Sequence, residues 1–193
     1  MRFRTNVLVE MALCIALAAV LNALRIFHMP QGGTVSLVML PIIVLAVRRG
    51  LVVGLVAGAA YGLVDLLIDP AIYYPLQVIL DYPIAYGAVG VAGIMHAAWN
   101  RATITGRGAS AVWTVLLPAV AIATALRYAA HVISGVVFFG QYAPEGQPVL
   151  IYSAVYNLYV PISAVGVFAA AAVVLPALSR VLDARRDETV TVS

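Results

Sequence analysis

Apolar positions in this chain come in runs rather than in alternation. Six runs stand out, at residues 7–24, 37–47, 51–68, 76–99, 109–139 and 149–182, separated by short segments rich in Pro, Gly, Arg and Tyr. Runs near 20 residues predict membrane-spanning helices. The second run is too short to cross alone. Its helix either begins inside the outer leaflet, or the preceding segment His28-Met29-Pro30-Gln31-Gly32-Gly33-Thr34 folds into the membrane and lines a cavity. Within the third run Gly54, Gly58 and Gly62 recur every fourth residue, a spacing that lets another helix approach closely. Pro118 predicts a kink in the fifth run, and Pro83 a local break in the fourth.

Composition turns this pattern into a class. The chain is 64% hydrophobic and 10% charged, with mean hydropathy +1.03. A soluble domain carries about 25% charged residues. The expectation is an all-α integral membrane protein of one domain, residues 1–193, built as a six-transmembrane-helix bundle. All basic residues are arginine. Arg2 and Arg4, Arg48 and Arg49, Arg101 and Arg107, and Arg180, Arg185 and Arg186 flank alternate ends of the runs. The positive-inside rule makes those ends, and both termini, cytoplasmic. Arg25 falls on the other side. The tail from residue 183 is charged and expected to fray. The first run is read as a retained span, not a cleaved leader. A net charge of +3 on scattered arginines argues against nucleic acid as a partner. The lone Cys14 excludes an internal disulfide and a thiolate metal site; no metal and no cofactor is expected. Without lysine the chain has no phosphate-binding Gly-x-x-x-x-Gly-Lys-Ser/Thr loop, so it cannot hydrolyse ATP by that route.

The candidate chemistry lies in the polar interruptions. Arg127, His131, Gly135 and Phe139 are spaced four apart and share one helical stripe. Facing lipid, such a stripe is costly, so it faces either a cavity or neighbouring helices that satisfy it. Asp81-Tyr82-Pro83 interrupts the fourth run, and Asp81 needs a partner: Arg127, His131 or a cationic ligand. Tyr152 and Asn157 open the sixth run; Asn157 bonds either a neighbouring helix or a ligand. Asp65 is ambiguous, and Tyr73 and Tyr74 suit either the interface belt or a pocket mouth. One carboxylate, one imidazole, one amide and several aromatic rings near the outer face suit a small, flat, cationic organic ligand. Two rival readings stay open. One is an intramembrane enzyme using Asp81 and His131 as acid and base, although no nucleophile stands beside His131. The other is a structural subunit with Asp81 salt-bridged to Arg127.

Several segments together resemble the thiamine-specific substrate-binding components of energy-coupling-factor (ECF) vitamin transporters. These are residues 8–16 with Ala12-x-x-x-Ala16, residues 41–51 with Arg48-Arg49-Gly50, residues 77–93 around Asp81-Tyr82, and the Arg127 to Tyr142 stretch followed by Tyr152 and Asn157. The resemblance implies a six-helix bundle of the bacterial plasma membrane, not an enzyme, that binds thiamine near its outer face. It further implies that Asp81, Tyr82, Arg127, His131, Gly135, Phe139, Tyr152 and Asn157 contact the ligand. Ala12 and Ala16 would dock on a transmembrane coupling subunit driven by two ATPases. The chain departs from the family pattern in carrying Asp81 where glutamate can stand, Phe139 where tryptophan can, and Arg127 where lysine can. A thiamine precursor or related pyrimidine is the alternative ligand.

Overall fold

The computed structural model describes residues 3–105 and 108–191. Arg2 and Arg107, used above to orient the chain, lie outside the described residues. Helix α1 is Thr5–Ala23, α2 Met39–Arg49, α3 Leu51–Ile68 and α4 Pro75–Ile104. A turn of helix at Gly108–Ala111 leads into α5, Val112–Phe138. The last span is split into α6, Val149–Tyr156, and α7, Tyr159–Thr191. Among the described residues, five helical segments are long and apolar enough to cross a membrane, α6 with the first part of α7 counting as one; α2 is the exception.

Helix α2 has 11 residues, about 16 Å at 1.5 Å per residue, roughly half the apolar core of a bilayer. It is nonetheless the centre of the molecule. Met39, Ile42, Ile43, Ala46 and Val47 are almost wholly buried, packed with Tyr61, Trp99, Leu116 and Leu175 from other helices. Its outer continuation is a small ribbon, the one departure from an all-helical chain among the described residues. Strand β1 (Phe27–His28) pairs antiparallel with β2 (Thr34–Val35), His28 opposite Thr34. Gly32 and Gly33 take positive φ in its turn, which a residue with a Cβ rarely adopts. The turn is pinned to the bundle: the Gln31 backbone N–H donates to the Tyr156 hydroxyl at 2.8 Å, and that hydroxyl donates to the Gly32 carbonyl at 3.3 Å. The segment before the short second run thus packs on the bundle, and Gln31, Gly32, Gly33 and Thr34 line a cavity there.

Helices α3 and α4 touch backbone to backbone. A Cβ on Gly58 would strike the Tyr86 carbonyl, and one on Gly54 would lie 2.6 Å from the Gly90 carbonyl oxygen. The stripe of small residues therefore serves packing, as expected. Helix α4 is not regular. Residues Leu80–Ile84 form a π-turn and Gly90–Met95 a 3₁₀ segment. Pro83 supplies no N–H and its ring crowds the carbonyl four residues back, so the ladder widens there. The helix runs on to Ile104, past the predicted end near residue 99. In α5 the irregularity precedes the proline: a π-turn spans Val112–Leu116 and Pro118 sits in the first turn of the regular helix, where a missing N–H costs little.

At the arginine-rich end, Glu10 on α1 pairs with Arg49, whose Nε donates at 2.7 Å, and lies 3.9 Å from Arg48. At the other end Arg25, the exception to the charge pattern, pairs with Asp69 on the loop after α3. The tail from Asp183, expected to fray, continues as helix to Thr191. Its Ala, Arg and Glu residues favour helix and no proline or glycine interrupts it.

Candidate ligand-binding site at the outer end of the bundle

The widened turn around Pro83 decides where Asp81 points. Its side chain, 17% exposed, turns into a cavity opening at the ribbon end of the bundle. Asp81 Oδ1 lies 3.0 Å from His131 Nδ1; Oδ2 accepts from Gln77 Nε2 at 2.8 Å and from the Ser134 hydroxyl at 2.9 Å. Three donors from two helices thus hold the carboxylate. On the far side of the imidazole, Arg127 Nε lies 3.4 Å from His131 Nε2. A guanidinium can only donate, so Nε2 accepts, Nδ1 carries the proton, and the neutral tautomer of His131 fits both neighbours.

Arg127 itself is buried, 3% exposed, with its guanidinium carbon 4.3 Å from the centre of the Tyr86 ring. The expected alternative of an Asp81–Arg127 salt bridge is not formed. The imidazole stands between the two groups, and the cation is held over an aromatic face instead. The same stripe continues to Gly135 and Phe139. A Cβ on Gly135 would collide with the Ser153 hydroxyl, so glycine there lets α6 approach α5. Asn157 Nδ2 donates to the Ser153 carbonyl at 2.9 Å and to the His131 carbonyl at 3.3 Å, bracing the break between α6 and α7 against α5. Of the two partners named earlier for Asn157, the neighbouring helix is the one seen: it bonds α5, and it also lines the cavity.

Phe139, Tyr152 and Tyr156 bring aromatic rings to the cavity wall, and further rings pack behind them. Tyr73 packs edge-on against Phe139 with centroids 5.1 Å apart, Phe139 lies 6.2 Å from Tyr142, and Tyr152 lies 6.0 Å from Tyr156. The Tyr82 hydroxyl accepts from the Ala71 N–H at 2.6 Å and donates to the Asp69 carbonyl at 3.0 Å. Its ring is on the cavity wall, while its hydroxyl ties down the loop between α3 and α4.

Every residue singled out as a ligand contact lines this one cavity: Asp81, Tyr82, Arg127, His131, Gly135, Phe139, Tyr152 and Asn157. Sequence reasoning missed Gln77, Ser134, Tyr86, Asn22, Thr34, Tyr156 and Tyr159, which line it too. Some had a signal. Gln77 stands four residues before Asp81, one turn away on the same face. Asn22 is a lone amide inside an apolar run. Ser134 and the tyrosines had none, because hydroxyls are common in spans that bind nothing. Ala12 and Ala16 are remote from the cavity wall and lie exposed on α1, beside exposed Val9, Leu13, Leu17 and Val20.

Residues 8–184 match the family described as thiamine transporter protein (Thia_YuaJ). The thiamine transporter ThiT of Bacillus subtilis is 41% identical over 153 residues, covering 78% of this chain and 79% of that protein. The thiamine transporter ThiT of Lacticaseibacillus paracasei is 37% identical over 146 residues, covering 70% of this chain and 71% of that protein. A solved structure of ThiT from Listeria monocytogenes superposes with a TM-score of 0.76 at 27% identity, covering 91% of this chain and 93% of that one. Its helices, its matched length and these relatives together establish that the chain belongs to the thiamine transporter protein family, as a multi-pass, non-enzymatic transport protein of the bacterial plasma membrane.

Proposed function

We propose that this chain is the thiamine-capturing subunit of an ECF-type transporter, taking thiamine from the outer side. The observation that carries this reading is the carboxylate of Asp81, held by neutral donors inside an aromatic-lined cavity open at one end of the bundle. Thiamine is flat, carries a permanent positive charge on its thiazolium ring and offers hydrogen-bonding groups on its aminopyrimidine. A partly buried carboxylate suits the charge, and Phe139, Tyr152 and Tyr156 suit the rings. Arg127, His131 and Asn157 present donors or backbone-braced polar groups at the cavity floor, fit to orient the polar edge of the pyrimidine. The names of the relatives in Bacillus subtilis and Lacticaseibacillus paracasei support thiamine over a precursor.

Capture is the whole of this chain's task in the proposal. With no phosphate-binding loop in its sequence, energy comes from two ATPase subunits through a transmembrane coupling subunit. The exposed face of α1 around Ala12 and Ala16 is where that subunit docks, since small residues four apart let a helix approach closely in lipid.

The test is calorimetric titration of the purified protein with thiamine. One equivalent is expected to bind, and Asp81→Asn, which keeps the shape and removes the charge, is expected to weaken binding by about 30-fold or more. Unchanged affinity in that variant would remove Asp81 as the anchor, and no binding to the unaltered chain would end the thiamine reading.

A further inference from the structure

The cavity holds a second carboxylate on a different helix. Asp65 lies on α3 one turn beyond Gly62, whose missing side chain lets α3 press against the backbone of Tyr82 and Pro83. That contact sets the stripe of small residues against the π-turn carrying Asp81, and Asp65, next along α3, comes onto the wall of the same cavity. Asp65 is 7% exposed. Its Oδ1 accepts from Asn22 Nδ2 at 2.8 Å and from the Tyr61 hydroxyl at 3.0 Å. The Thr34 hydroxyl donates to Asn22 Oδ1 at 2.8 Å, which fixes the orientation of the amide and turns its NH₂ toward Asp65. The carboxylate is therefore held as an acceptor by neutral groups. Among the described residues no cation forms an ion pair with it.

Asp69 is paired with Arg25, and Asp81 bonds an imidazole whose neutral form brings no charge. Arg127 makes no ion pair with Asp65 or Asp81 among the described residues. With Asp65 and Asp81 both ionised, two carboxylates against one guanidinium leave the cavity one negative charge in excess. Buried charges left without a counter-charge are costly, and a guest of single positive charge restores the balance.

We propose that Asp65 is a second counter-charge for the ligand, and that it sets the preference for a cationic over an uncharged guest of the same shape. The assignment rests on the thiamine reading above. In this role Asp81 and Asp65 share the guest's charge from α4 and α3, and the relay Thr34–Asn22–Asp65 holds the second carboxylate at the cavity wall.

The experiment compares thiamine with an analogue whose thiazolium is replaced by an uncharged thiophene, on the unaltered chain and on Asp65→Asn. The readout is the ratio of the two affinities on one preparation, so a loss of folded protein cancels. The ratio on Asp65→Asn is expected to fall by about 30-fold, through weaker thiamine binding with analogue binding unchanged. Equal loss for both ligands would overturn the proposal, leaving Asp65 a shaping residue, and so would no loss for either. Failure of the unaltered chain to bind thiamine is a separate result; it ends the functional reading and this assignment with it.

Discussion

Gly135 and Ser153 meet where α5 and α6 cross, and there is no room for a methyl group between them. Gly135→Ala is expected to destabilise the protein by about 1–3 kcal/mol through overpacking, and to weaken thiamine binding by displacing His131 and Asn157. Ser153→Ala added to it removes the colliding hydroxyl and is expected to recover part of the loss. Thermal unfolding and calorimetry of the two variants check both points; a Gly135→Ala variant as stable as the parent would show that α6 can retreat freely. At this scale the sequence was partly legible. The four-residue spacing of Arg127, His131, Gly135 and Phe139 put them on one face, and they do line one cavity. The roles within the stripe were not legible. That Arg127 would lie over Tyr86 while His131 takes Asp81 depends on the path of α4, which no local pattern encodes.

Among elements, the contact of α3 with α4 carries most of the site's geometry. Gly58→Leu would force a branched side chain into the Tyr86 carbonyl and separate the two helices. It is expected to abolish thiamine binding and to lower the unfolding midpoint, measurable by a thermal shift assay in detergent. Normal binding by Gly58→Leu would show that Asp81 and Asp65 do not depend on this seam. Helix α1 lends itself to the converse test. Ala12→Leu lies on an exposed face, so it is expected to leave thiamine affinity unchanged and to reduce co-purification with the coupling subunit proposed above; reduced affinity instead would place that face in the binding apparatus. The element boundaries show what a linear pattern hides. The glycines of α3 announced close packing. The π-turn at Leu80–Ile84 was visible only as Pro83, and the ribbon after α1 only as a run of turn residues. A proline states that the ladder breaks, not how the backbone closes around the break.

For the whole molecule, the apolar runs made the membrane bundle plain, because lipid tolerates few other ways to satisfy a backbone. Less visible was that the shortest run would be the most buried. An 11-residue helix flanked by glycine and arginine reads as peripheral, yet α2 is enclosed by its longer neighbours. Its side chains fill the bundle inward of the pocket, with Met39, Ile43 and Val47 wholly buried. No residue of α2 lines the cavity, which lies wholly toward the ribbon end, so the packed helix stands where a corridor through the bundle would have to run. Reconstituted alone in vesicles, the chain should hold no more radiolabelled thiamine than one molecule per protein, and should give it back to the side from which it came.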